Sequence, residues 1–144
     1  MTIFEALRQE HEIQRDLINK LIKTEGKTEE RKKIFNDLKH ELKIHEDAEE
    51  RHFYVPLMKE DMTQEKARHS VAEHHEMDEL VEQMEDIEMD ASNWLKLAKD
   101  LEHQLIHHLE EEEHEVFQMA GKVLTEKQKT SLATVYNKEI RENR

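Results

Sequence analysis

Apolar positions recur along nearly the whole chain at three- and four-residue intervals, the period of amphipathic helices rather than of strands. Phe4, Leu7, Leu17, Ile18 and Leu21 predict a first helix over about 2–24, with Gly26 as its stop and Thr28 as the next cap. A second helix is predicted over about 28–60, with Ile34, Leu38, Leu42 and Phe53 on one stripe and Pro56 as a kink or early end. A third is expected over about 63–89 and a fourth over about 92–120, closed by Gly121. A last short helix, about 125–142, opens on Thr125 with Gln128 three residues on, a capping-box pattern, and carries Leu132, Tyr136 and Ile140 on one edge. The links are short, which favours antiparallel neighbours. The expected fold is all-α: an up-down-up-down four-helix bundle with a short C-terminal helix, as a single domain over residues 1–144.

The pattern also repeats. Shifted forward by about 63 residues, the first two helices fall on the third and fourth without a gap. Glu10 and His11 land on Glu73 and His74, Leu17 and Ile18 on Leu80 and Val81, and Ile34, Leu38 and Leu42 on Leu97, Leu101 and Leu105. His45 lands on His108, Glu49 on Glu112, and Phe53 and Tyr54 on Val116 and Phe117. Two related helical hairpins, facing each other across a pseudo-twofold axis, would produce this register.

Composition narrows the function. Charged residues are 40% of the chain and the formal net charge is −13, which repels phosphates and argues against nucleic acid or an anionic membrane as partner. Cysteine is absent, removing disulfides, thiolate metal sites and cysteine nucleophiles together. The start, Met1-Thr2-Ile3-Phe4-Glu5, has no basic region followed by an apolar run, and no stretch approaches a membrane span, so the expected location is cytoplasmic. The unusual residue is histidine, with 11 copies, more than Phe, Tyr and Trp combined.

His45 and Glu49, four residues apart, continue the stripe of Leu38 and Leu42, and His108 and Glu112 continue that of Leu101 and Leu105. A carboxylate and an imidazole on an apolar stripe are costly to bury unless something satisfies them, and a metal ion does so. The first and third helices each add an inward histidine, His11 and His74. One His-x-x-x-Glu in so His- and Glu-rich a chain is weak, and a lone inward histidine is more often a hydrogen-bonded core residue. Two such pairs and two Glu-His pairs at one common offset are hard to obtain by chance. His11, His45, Glu49, His74, His108 and Glu112 are therefore the expected metal ligands, with Glu46 flanking them as an extra candidate carboxylate. A pair of iron-like ions suits four imidazoles and two bridging carboxylates. His40 and His103 point to the opposite side of their helices, and His69, His107 and His114 fall off the stripe. His75 or His107 would replace His74 or His108 only if the register were wrong by one, which the repeat opposes. His52 lies on the His45 face, near the site or toward the bundle end, and Tyr54 reads as core packing because its counterpart is Phe117.

As an ordered set, Glu10-His11, His45-x-x-x-Glu49-Glu50 followed by Pro56, Glu73-His74, and His108-x-x-x-Glu112-Glu113 resemble the hemerythrin-like, HHE cation-binding family over roughly helices one to four. That resemblance implies a di-iron centre, oxo- or hydroxo-bridged, in the bundle core. It gives His11 and His45 to one iron, His74 and His108 to the other, and Glu49 and Glu112 as bridges. The chain departs from the oxygen-carrying members, which place two histidines one turn apart on the third helix; here Ser70 and Asp78 flank His74 by one turn. It also has Glu at both the fourth and fifth positions after His108, where the carriers have Asp at the fifth. The four-His, two-Glu set is closer to bacterial di-iron proteins linked to repair of iron centres after nitrosative stress, and the run His45-Glu46-x-x-Glu49 is similar to the iron-sensing domain of a ubiquitin-ligase F-box subunit.

The expected function is a non-haem di-iron binding protein that binds or senses iron, oxygen or nitric oxide. The alternative is a di-iron enzyme of nitrosative or oxidative stress defence, turning over nitric oxide or peroxide or repairing iron centres. No acid, base or nucleophile stands apart from the ligands in the sequence, so the reading leans away from an enzyme.

Overall fold

The computed structural model describes all residues, Met1–Arg144. Helix α1 (Ile3–Leu21) opens on Thr2, whose side chain accepts from the Glu5 N–H while Glu5 reaches back, a complete capping box. Helix α2 (Glu29–Glu49) is capped by Thr28 and runs through a π-helical turn, Glu50–Tyr54, into the short α3 (Val55–Met58). Helix α4 spans Gln64–Glu85. Helix α5 (Ser92–Glu111) likewise passes through a π-helical turn, Glu112–Val116, into α6 (Phe117–Val123). Helix α7 (Glu126–Asn143) opens on the Thr125–Gln128 capping box.

Several expected boundaries shift. The second helix is not one α-helix to residue 60: it is interrupted by a π turn at Glu50–Tyr54, and Pro56 follows directly in the short α3. The third ends at Glu85 rather than near 89, and the fourth passes Gly121 to end at Val123. Gly26, by contrast, adopts φ 56°, the left-handed turn conformation that glycine permits at a helix stop.

Burial fixes the topology. Two apolar clusters occupy opposite ends of the bundle. Along α1 the chain passes from the first cluster (Ile3, Leu7) through Glu10, His11 and Gln14 to the second (Ile18, Leu21). Helix α2 runs from the second cluster (Phe35, Leu38, Leu42) through His45, Glu46 and Glu49 to the first (Phe53, Leu57). Helices α4 and α5 repeat the two directions. This is up-down-up-down, with a buried polar layer between two greasy ends. Helix α7 lies across α1 and α2 and adds Ala133, Tyr136 and Ile140 to the first cluster.

At the far end, the buried Arg31 donates to Thr24 Oγ1 (2.9 Å), to the Thr24 carbonyl (2.5 Å) and to the Met89 carbonyl (2.6 Å), and stacks over Trp94. One guanidinium thus ties the α1–α2 link to the α4–α5 link and satisfies carbonyls that would otherwise be unpaired.

Candidate metal centre

The six side chains singled out by their spacing, His11, His45, Glu49, His74, His108 and Glu112, meet in the polar layer, none more than 3% exposed. Two groups form, each with its potential ligand atoms within 4.8 Å of one another: His11, His45, Glu49 and Glu112, and Glu49, His74, His108 and Glu112. Both carboxylates belong to both groups. Their oxygens divide accordingly. Glu112 Oε1 is 2.9 Å from His11 Nε2 and its Oε2 is 3.5 Å from His108 Nε2. Glu49 Oε2 is 3.3 Å from His45 Nε2 and its Oε1 is 3.0 Å from His74 Nε2. Each carboxylate therefore offers one oxygen to each half, the disposition of a bridging ligand.

All four inward Nε2 atoms, both Glu49 oxygens and Glu112 Oε1 are buried without a hydrogen-bond partner. The N···O approaches lack the alignment a hydrogen bond requires. Buried polar atoms are nearly always paired, and each one left unmade costs about 1–3 kcal/mol. Seven such atoms aimed at one place fit a cation-binding centre: imidazole lone pairs and carboxylate oxygens are donors that iron-like ions accept.

The outward nitrogens are held. His11 Nδ1 lies 2.6 Å from Glu113, His74 Nδ1 2.9 Å from Glu50, and His108 Nδ1 2.9 Å from Glu73. His45 Nδ1 lies 2.7 Å from the hydroxyl of Tyr136 on α7. In the neutral form of each imidazole, an Nδ1–H donating outward leaves the Nε2 lone pair facing inward.

Charge follows from this packing. Burial pushes the His11 imidazole down, but Glu112 and Glu113 outweigh that and hold it at about 9. Against the same burial, Glu49 and Glu50 hold His74 well above its ordinary value. Burial pushes Glu112 up and the Glu49 charge adds to it, while Glu49, also opposed by burial, is held well below the usual range by His45 and its other neighbours. Two carboxylates so placed resist ionising together unless a cation lies between them.

Two phenols enter the site. Tyr54, expected as core packing, instead donates its hydroxyl to Glu112 Oε2, with Ser70 beside it and its ring against His74 at 6.1 Å. The reason is the π turn. Tyr54 is the fifth residue after Glu49, and at 100° per residue it would point well away; an i→i+5 turn returns the fifth residue toward the same face. Phe117, fifth after Glu112, is brought over the His11 ring in the same way, 6.1 Å between centroids. Tyr136 was legible only as part of an apolar edge, since nothing in its spacing says which helix that edge meets.

Glu46 is buried but gathers with neither ligand group; burial, with the neighbouring Asp78 adding to it, raises its carboxyl to about 9. Its counterpart in the repeat is the fully buried Leu109. His52 reaches Glu139 at 2.9 Å, away from the layer. His69, His75 and His107 are exposed; His69 lies with Glu73 and Glu111 in a surface cluster. A cleft lined by Lys32, Phe35, Met84 and Met89 lies at the α1–α2 end, away from the six. No helix is long and apolar enough to cross a membrane.

The sequence matches the family model described as Hemerythrin HHE cation binding domain over residues 2–120. The structure resembles the crystal structure of a Hemerythrin HHE cation binding domain-containing protein from Mycobacterium kansasii, with TM-score 0.89 and 19% identity, covering 99% of this chain and 87% of that one. At that identity the likeness concerns the fold. Among curated proteins none matches.

Proposed function

The chain belongs to the hemerythrin HHE cation-binding domain family, and from that premise we propose that it is a non-haem di-iron protein that binds or senses iron, oxygen or nitric oxide. The observation that carries the proposal is the convergence of seven unpaired, buried donor atoms from His11, His45, Glu49, His74, His108 and Glu112. His11 and His45 would hold one ion and His74 and His108 the other, with Glu49 and Glu112 bridging. When bound, such a pair supplies one-electron chemistry and coordination positions left free by the protein.

The remaining residues define what can use those positions. Glu113, Glu50, Glu73 and Tyr136 fix the four imidazoles, so the donor set is preorganised. The layer is closed above and below by apolar clusters, which excludes bulk water and favours small, weakly polar molecules over large substrates. One turn either side of His74 stand Ser70 and Asp78, not histidines, and the small, buried Ser70 lies beside the Tyr54 phenol. One observation favours the second reading, turnover of peroxide or nitric oxide: Tyr54 places an O–H, fully buried, against a bridging carboxylate, where a proton source would be needed.

Elemental analysis after anaerobic reconstitution with iron tests the proposal. Two irons per chain support it; a consistent value of one or less overturns it. Optical spectra of the oxidised and reduced forms, with and without oxygen and nitric oxide, then separate binding from turnover: a stable adduct supports the first reading, and catalytic loss of the added molecule the second.

A further inference from the structure

We propose that Tyr136 of α7 makes the two halves of the centre unequal, so that the His74/His108 half takes the first metal ion and the His11/His45 half the second, more weakly. The inference rests on the two-metal reading above.

Its basis is a broken symmetry. The internal repeat pairs Glu50 with Glu113, and each does the same job: Glu50 holds His74 Nδ1 and Glu113 holds His11 Nδ1. The repeat likewise pairs Glu73 with Glu10 and His108 with His45. Glu73 holds His108 Nδ1 at 2.9 Å, so symmetry assigns Glu10 to His45. Glu10 is instead tied to Arg144, next to the end of α7, and Tyr136 of the same helix stands 2.7 Å from His45 Nδ1. Helix α7 occurs once, lies outside the residues matched by the family model, and packs on α1 and α2, so it can alter only one half.

The chemistry of the acceptor matters. An imidazole bound through Nε2 donates its Nδ1 proton outward. A carboxylate accepting that proton makes a charge-assisted bond and raises the basicity of the ligand nitrogen. A phenol oxygen is a neutral, weaker acceptor. His74 and His108 are both backed by carboxylates; of the other pair only His11 is, and His45 has Tyr136. The half with two strengthened imidazoles binds tighter and fills first. Tyr136 is thus a positioning residue that acts through His45.

The test is an anaerobic titration of the full chain with cobalt(II). Its ligand-field spectrum counts the steps, and anomalous diffraction from crystals grown at one equivalent locates the first ion. Two ions bound in two steps, with the first at His74 and His108, is the expected result. Tyr136→Phe should weaken the second step by about 10–100-fold and leave the first unchanged, whereas Glu73→Gln should weaken the first by a similar factor. Equal occupancy of both halves at one equivalent overturns the proposal, as does equal weakening of both steps by Tyr136→Phe. Either of those results leaves the two-metal reading intact, whereas fewer than two cobalt ions in the unaltered protein ends both. The location of the first ion needs no variant, so the proposal stays testable if Tyr136→Phe folds poorly.

Discussion

Raising the pH should destabilise the metal-free protein far more than the iron-loaded one. His11 is held at about 9 in the folded chain against an ordinary 6.5. A folded pKa raised in this way contributes stability that is complete below about 6.5 and is lost as the pH rises through about 9. Glu46 is raised from 4.5 to about 9, chiefly by burial, so the folded chain retains its proton over the same span while the unfolded chain does not. Each group has the slope of one extra bound proton, about 1.4 kcal/mol per pH unit, flattening near 9. From about pH 7 to about pH 9 the two together remove roughly 4–5 kcal/mol, about half of it from His11, and His74 adds in the same direction. For a chain of this length that lowers the apo Tm by about 10–15 °C. Glu113, held at about 2, is ionised throughout and contributes nothing to the change. In the loaded protein His11 gives its Nε2 lone pair to the metal, so its proton is already gone and rising pH removes a competitor for the site. Only the Glu46 part remains, and the gap between loaded and apo melting temperatures should widen by at least about 5 °C. Anaerobic melting followed by circular dichroism at several pH values, chelated against iron-loaded, measures both curves. An apo Tm that is flat or rises over this range, or a gap that narrows, would refute the reasoning.

Glu49→Ala and Glu112→Ala should each abolish binding of a second ion, whereas Glu50→Gln and Glu113→Gln should retain two ions with affinity lowered about 10–100-fold, because they hold His74 and His11 rather than the metals; equal stoichiometric loss in all four would show that the carboxylate roles are misassigned. Tyr54→Phe removes the donor to Glu112 Oε2 and should cost the apo protein about 1–3 kcal/mol but the loaded protein less, since a metal then satisfies that oxygen; equal loss of Tm in both forms would reduce Tyr54 to packing. Leu101→Ala, in the apolar cluster beyond the layer, should cost about 2–5 kcal/mol in both forms with two ions still bound, as read by denaturant melts and elemental analysis.

The convergence of the six side chains of the candidate centre could be read before any coordinates, because they obey the helical period. His45 and Glu49, or His108 and Glu112, share a face by spacing alone, and the repeat selects His74 over His75. The bundle direction followed from short links and is restated by burial, as each long helix crosses from one apolar cluster to the other. What escaped has a common cause: it depends on contacts between helices rather than on period within one. Arg31 in a charge-rich segment gives no sign that three oxygens and Trp94 await it. Glu50, Glu73 and Glu113 sit beside ligands in the sequence, yet their partners lie on other helices. Tyr136 on α7 lies 91 residues from His45.

The π turns mark where the period itself fails, and their placement is informative. Both begin immediately after or at a carboxylate of the candidate centre, Glu49 or Glu112: the Val55 N–H reaches back to Glu50 O, and the Phe117 N–H to Glu112 O. A strict α-helix would leave the next apolar turn out of register with the ligand face. The wider turn lets Glu49 and Glu112 face the centre, Glu50 and Glu113 reach sideways to neighbouring histidines, and Tyr54 and Phe117 close over the layer. Such turns are uncommon and concentrate at functional sites. Two of them, at nearly equivalent places in an internal repeat, are hard to attribute to packing alone. They are accounted for if each hairpin must set two adjacent glutamates on the two ring nitrogens of one histidine of the other hairpin, Glu49 and Glu50 on His74 and Glu112 and Glu113 on His11, which is the demand the proposed bridged, preorganised metal pair makes on a four-helix bundle.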